Sequence, residues 1–256
     1  MERRGSSTPR RVLRGTRNFM SPIIENLPDG SSSQRDNLNH QAIEDYLKTI
    51  YVLAEDDERV STSRIAEARE VKPASATNMI QRLARLNLVD YEKHNGVMLT
   101  EAGRQIALEV IRHHRLIELY LMEALGFRWD EVHEQADVLE HVISEKLEER
   151  IAAALNHPTV DPHGDPIPSL EGAILSVNMQ PLSSLEEGSR GRVARIVDDA
   201  NSEMLRYLAM LGLVPGTKFR VIDVAPFDGP ITLELEDSHK VVGRNVAATI
   251  LVEVVL

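Results

Sequence analysis

His133, Asp137, Glu140 and His141 stand at spacings of i, i+4, i+7 and i+8 within a stretch long enough for one helix. At about 100° per residue, these four side chains fall within about 100° of arc. All four residue types bind metal ions, and imidazole with carboxylate suits divalent first-row metals. Beside them run Val132, Ala136, Leu139, Ile143 and Leu147, the expected buried edge of the same helix. Earlier in the chain His114 and Glu118 form an i, i+4 pair, so they share a helix face and can oppose the first stripe in a helical hairpin. A lone Glu-x-x-His spacing is usually a solvated face. Two facing helices carrying all of these groups are a more specific pattern. The chain has no cysteine, which excludes disulfides and thiolate sites, so nitrogen and oxygen must hold any metal.

Periodicity outlines the elements that must position these groups. Ile43, Tyr46, Leu47, Ile50, Tyr51 and Ala54 have helical spacing, and Ser61 can cap a short helix holding Ile65 and Ala66. Pro73 suits the first turn of a further helix with Ala76, Met79, Ile80, Leu83 and Leu86 inside. Asn95-Gly96 between β-compatible runs predicts a hairpin over 89–99. Thr100 is the expected N-cap of a long helix reaching about Leu125, with Gly126 as its stop. The ligand-bearing helix is expected from about Asp130 to Leu155. Pro158, Pro162, Pro166 and Pro168 mark 156–170 as a linker or a tethered loop. Strand-like runs at 219–224, 231–235 and 250–255, with turns at Pro215-Gly216 and Asp228-Gly229, predict a small β-barrel with a short helix near 204–211.

The expected fold class is therefore mainly α with a small β part. Residues 1–38 read as a disordered tail and 39–100 as a winged helix-turn-helix. A helical metal-binding unit follows over 101–155, then a Pro-rich linker over 156–178 and a small β-barrel over 179–256. Six arginines in the first 17 residues could add non-specific DNA affinity. A solvated tail, or an overlong start with Met20 as the true beginning, is the plainer reading.

Two short helices, a polar-faced third and a basic hairpin make a DNA-reading pattern, because the major groove admits one helix. The N-terminal residues of the third helix reach base edges most easily. This points to Ala74, Ser75, Thr77 and Asn78, with Gln81 further along. Lys72, Arg82 and Arg85 suit phosphates, and Lys93 and His94 at the hairpin tip suit a wing over the backbone. Any surface helix shows polar residues, so the helix order and the local charge carry this reading. The net charge of −11 opposes DNA binding, but residues 59–115 hold ten Lys or Arg against six acids. Residues 130–150 hold eight acids against two bases, so a basic reading head is joined to an acidic sensor. Arg3, Arg4, Arg10 and Arg11 precede no apolar signal core, and no apolar run is long enough to span a bilayer. A cytoplasmic protein with no membrane partner is expected.

Several segments resemble the diphtheria-toxin-repressor family of iron- and manganese-dependent regulators. They are Asp45-Tyr46-Leu47-Lys48-Thr49-Ile50-Tyr51, Arg64-Ile65-Ala66-Glu67, Leu99-Thr100-Glu101-Ala102-Gly103, His113-His114-Arg115-Leu116-Ile117-Glu118 and the stretch from Val132 to His141. Pro162-His163-Gly164, Ile167-Pro168 and the Leu211–Gly216 segment extend the likeness, which covers about residues 40–256 in order. The resemblance implies that the helical unit over 101–155 also dimerises and that the barrel over 179–256 is SH3-like. It implies a primary metal site of Asp137, Glu140 and His141, with Asp45 reaching over from the first helix. It also implies a second site of His114, Glu118 and His133, completed by Asp198 and Asn201 in the SH3-like tail or by Asp161 and His163 in the loop. Asp45 stands where some iron-type relatives carry Met, and Asp137 where they carry Cys. Hard oxygen ligands favour Mn2+, with Fe2+ as the alternative. Lys48 stands where the shorter manganese regulators carry Glu, which argues against their closely spaced ion pair. For Asp45 the competing explanation is an acid in a first helical turn, favoured by the helix dipole. For Asp161, His163, Asp198 and Asn201 it is a capping or solvated side chain.

The expected function is a homodimeric repressor that metal activates for binding palindromic double-stranded operator DNA upstream of metal-uptake genes. A metal-dependent hydrolase would use similar ligands, but no HExxH motif, nucleophile elbow or phosphate loop supports one. A winged-helix regulator of an organic ligand would bind DNA without metal. An interaction module would use the SH3-like tail to hold a proline-rich segment, and 156–170 could itself be that segment.

Overall fold

The computed structural model describes residues 33–54, 59–175, 177–197, 199–236 and 238–255, with side chains described from His40 onward. The expectations for residues 1–32 and for Asp198 lie outside this range. Helix α1 (Ser33–Leu53) begins inside the stretch expected to be tail. It is followed by α2 (Thr62–Ala68), α3 (Pro73–Arg85) and the hairpin β1 (Val89–Glu92) and β2 (Gly96–Leu99). Ser61 caps α2 by accepting from the Arg64 amide, and Pro73 sits at the start of α3, as their types predict. Ile43, Leu47, Ile50, Ile65, Ile80, Leu83, Leu88 and Val97 are fully buried together in one core. The polar side of α3 is thereby left outward.

Helix α4 (Glu101–Leu125) is the spine of the molecule. Thr100 caps it, and Gly126 ends it in the left-handed region at φ 73°. Its start presses on the reading-head core. A Cβ at Gly103 would stand 2.0 Å from the Leu88 carbonyl oxygen, so only glycine allows this approach. Further along, Ile117 and Leu121 pack with Val132 and Ala136, and Leu116 packs with Ile151, Ala152 and Ile167.

The single helix expected over 130–155 is two helices, α5 (Val132–Leu139) and α6 (Glu145–Ala154), joined by a corner at 140–144. Ser144 caps α6 by accepting from the Leu147 amide, and Glu145 and Glu148 complement the positive end of its first turn. The expected buried edge is correspondingly partial. Val132 and Ala136 are fully buried, whereas Leu139 and Leu147 are 38% and 48% exposed. Glu140 keeps the helical register as the C-cap, its amide donating to the Ala136 carbonyl at 2.9 Å, and His141 is the first residue past it.

The C-terminal strands are β3 (Gln180–Pro181), β4 (Arg190–Ile196), β5 (Lys218–Val224), β6 (Ile231–Leu235), β7 (Ser238–Val242) and β8 (Ile250–Val254), with α7 (Ser202–Leu211) and α8 (Arg244–Ala248). They form one antiparallel sheet in the order β3-β8-β4-β5-β6-β7. The expected barrel is not closed, because β3 and β7 are its two edges and do not pair. Val193, Ile196, Val221, Ile231, Leu233 and Val252 alternate inward from successive strands, and Leu205 and Leu208 of α7 join their core.

The proline-rich segment is a tethered loop. Asp161 Oδ1 accepts from the His163 and Asp165 amides, and the His163 carbonyl accepts from the Ile196 amide of β4. Asp165 pairs with Arg115 of α4 and Arg195 of β4, each at 2.8 Å. Gly164 has φ 89°, and a Cβ there would lie 1.9 Å from the Ala194 carbonyl oxygen. The loop therefore joins the spine helix to the sheet. Among the described residues no helix is long and apolar enough to cross a membrane.

Candidate metal centre and DNA-facing helix

Three pieces of chain converge on one region. Asp45 and Lys48 lie about one turn apart in mid-α1, His114 and Glu118 one turn apart on α4, and His133, Asp137, Glu140 and His141 on α5 and its corner. Because α1 begins at Ser33, Asp45 is not in a first turn, and the helix-dipole explanation for it does not apply.

The ligand atoms gather into overlapping groups whose members all lie within 4.8 Å of one another. One is Asp45, Glu140 and His141; a second is His114, Glu118 and His133; a third is His114, Asp137 and Glu140. A fourth joins Glu118 and His163 to Asp199, just before α7. The structure thus brings together eight of the sequence-designated residues. Asp137 stands with His114 and Glu140 rather than with Asp45 and His141, and it is half exposed. Asp161 uses Oδ1 to hold its own loop, and Asn201 uses Oδ1 to cap α7 at the Met204 amide.

Two participants were not singled out from sequence. Glu44 pairs with His141 Nδ1, while His141 Nε2 lies 3.0 Å from Asp45. Its only signal is adjacency to Asp45. Asp199 is the second acid of the Asp198-Asp199 pair, and no periodicity distinguishes the two.

Lys48 Nζ sits among the ligand atoms. It donates to both Glu140 oxygens at 3.0 and 2.8 Å and to Asp137 Oδ1 at 3.2 Å, and lies 3.1 Å from His114 Nδ1. Arg69 of the α2 C-terminus holds Asp45 at 2.7 Å. Burial opposes protonation of His114, but the Glu118 and Glu140 carboxylates beside it carry its pKa up to about 10. Burial likewise opposes charge on His141, yet Asp45 and Glu44 raise it to about 9. Burial would raise Glu118, but His114 and its neighbouring imidazoles hold it well below the usual carboxylate range.

The donor set fits a divalent ion. It contains imidazole nitrogen and carboxylate oxygen, with no sulfur, which suits Mn2+, Fe2+ or Zn2+. Glu118 Oε2 and His163 Nδ1 are fully buried without a hydrogen-bond partner, yet face each other at 3.8 Å. Buried polar atoms rarely go unpaired, so two facing orphans mark a place built for something between them.

Within the N-terminal unit, α3 presents Ala74, Ser75, Asn78, Gln81 and Arg85 to solvent, with Lys72 just before it. Thr77 and Arg82 are half-buried, and Thr77 Oγ1 donates back to the Pro73 carbonyl at 2.9 Å. Lys93 and His94 are exposed at the hairpin tip, where His94 takes φ 71°.

Three family models match successive stretches. They are the iron dependent repressor N-terminal DNA binding domain over 40–97, the iron dependent repressor metal binding and dimerisation domain over 100–169, and the FeoA domain over 180–254. The iron-dependent repressor IdeR of Mycobacterium leprae is 32% identical over 217 residues, covering 77% of this chain and 94% of that one. The chain belongs to the iron-dependent repressor family. A manganese-dependent transcriptional repressor in complex with manganese superposes with a TM-score of 0.77 at 39% identity, over 83% of this chain and all of the other. The manganese regulator SloR superposes at 0.67 and 36% identity, over 83% of this chain and 98% of its own. This iron-dependent repressor homologue is thus a metal-dependent transcriptional regulator and not an enzyme, which removes the hydrolase reading. Its FeoA domain supplies Asp199, and its loop supplies His163, to the face where Glu118 emerges from α4.

Proposed function

We propose that this protein is a homodimeric repressor which a divalent ion, Mn2+ in preference to Fe2+, activates for binding a palindromic operator upstream of metal-uptake genes in the cytoplasm. The observation that carries this reading is the convergence of Asp45, from the helix that packs the reading head, with Glu140 and His141, from the sensor corner. Asp137 is the reserve ligand of this primary site, because it lies beside Glu140 and is half exposed. The second site is His114, Glu118 and His133, with His163 and Asp199 closing it from the loop and the FeoA domain.

A bound ion supplies two positive charges that neutralise this acidic cluster and hold its carboxylates at fixed distance. The chain does the rest. Asp45 connects α1, and so α3, to the corner; a rigid connection fixes the separation of two reading heads, which a two-fold operator requires. Asn78 and Gln81 present amides to adenine edges, Ala74 and Thr77 present methyls to thymine, and Ser75 bonds either base. Lys72, Arg82, Arg85, Lys93 and His94 meet phosphates and set register.

The preference for Mn2+ rests on the oxygen-rich donors and on likeness to a manganese-dependent repressor solved with manganese. The test is fluorescence anisotropy of metal-stripped protein on DNA from its own promoter and from a nearby metal-transporter promoter, at one salt concentration. Mn2+ and anaerobic Fe2+ are titrated separately. Binding that needs metal is expected, and Glu140→Ala should stay a folded dimer that gains no DNA affinity from metal. Equal binding in chelator, or undiminished stimulation of Glu140→Ala, would overturn the reading.

A further inference from the structure

The Lys48 ammonium lies where ligand atoms of both proposed metal sites meet. Glu140 belongs to the group with Asp45 and His141; His114 belongs to the group with Glu118 and His133. One Nζ reaches both, at 2.8 Å from Glu140 Oε2 and 3.1 Å from His114 Nδ1, and also holds Asp137 at 3.2 Å. An ammonium has three protons to donate and no accepting atom. Its contacts with Glu140 and Asp137 are charge-assisted. Glu140 is 2% exposed, and Lys48 shares its compensation with His114, whose Nδ1 lies 2.5 Å from Glu140 Oε2.

We propose that Lys48 is a built-in competitor cation that sets the metal affinity of the site built on Glu140. This rests on the metal reading above and deepens it. A divalent ion that takes Glu140 must first draw an oxygen away from Lys48, and the two positive charges cannot share that oxygen at close range without repulsion. His114 Nε2, which faces Glu118 and His133, is not touched by Lys48, so the competition acts on the Glu140 site. The side chain has somewhere to go: it is 20% exposed, next to half-exposed Asp137, so the ammonium can move outward with that carboxylate while the buried ligands stay.

The test compares Mn2+ binding to the full chain and to Lys48→Met, Lys48→Gln and Lys48→Arg, using the electron paramagnetic resonance signal of free Mn2+. Lys48→Met and Lys48→Gln should bind about tenfold or more tighter than the wild type, since they lose a charge-assisted contact. Lys48→Arg should remain weak. Melting curves in chelator identify which neutral variant is folded, and either suffices. Unchanged or weaker affinity in a folded neutral variant would overturn the competitor role alone. A wild type that binds no Mn2+ would overturn the metal reading and this role together.

Discussion

His114 and His141 hold their protons far more tightly than a free imidazole, up to about 10 and about 9. Burial works against this; neighbouring carboxylates overcome it. In chelator, these protonated imidazoles contribute stability that is complete below the unfolded pKa of about 6.5. It is lost as pH rises through about 9 for His141 and about 10 for His114. Metal binding runs the other way, because an ion takes an imidazole nitrogen only after the proton leaves. Mn2+ affinity should therefore climb from about pH 6 to about pH 8, with protons released on binding. Calorimetry in two buffers of different ionisation enthalpy measures that release. A flat affinity across this range would mean that neither imidazole is a ligand.

At the scale of elements, the spine helix and the sensor corner set where the ligands point. Gly103 is the tightest junction, with Leu88 carbonyl packed where a side chain would start. Gly103→Ala must push the start of α4 away from the reading-head core and should destabilise the protein by at least about 1–3 kcal/mol. A urea titration reads this as a lowered midpoint at constant slope; an unchanged midpoint would refute the close approach. Most elements of the N-terminal half were legible because their signals are local. Ser61, Pro73, Thr100 and Gly126 each satisfy or replace a specific backbone group at a helix end. The α5–α6 break was masked by a hydrophobic period that runs on through Ile143 and Leu147. Ser144 followed by Glu145 and Glu148 was the available stop-and-start signal, and it is a common composition on a solvated helix.

At the scale of the molecule, the loop at 156–170 ties the spine to the FeoA domain and carries His163 into the centre. The interaction-module reading placed this proline-rich segment against the SH3-like tail, and the loop does lie on β4, through Ile196 and Arg195. The chain's single tryptophan reports on that junction. The Trp129 carbonyl accepts from His163 Nε2 at 2.8 Å, and the two rings lie 5.7 Å apart. Mn2+ should therefore change Trp129 emission, and His163→Ala should abolish that change while leaving the metal response of DNA binding through Asp45, Glu140 and His141. Emission that responds equally in His163→Ala would place His163 outside the second site.

By itself, the sequence determined the order of the elements, the residue types of a nitrogen-and-oxygen metal centre, the polar face of α3 and the likeness to metal-dependent repressors. These depend on short-range periodicity, on caps that act within a turn, and on side-chain chemistry that travels with the residue. Tertiary structure alone decided which acid stands beside which imidazole. Glu44 and Asp45 meet His141, Asp199 gathers with Glu118 and His163, and Lys48 joins the directly bonded pair Glu140 and His114. It also decided that the sheet stays open. These choices depend on packing angles between α1, α4 and α5 and on edge pairing between distant strands. Such contacts join residues far apart in the chain, where no local period carries information.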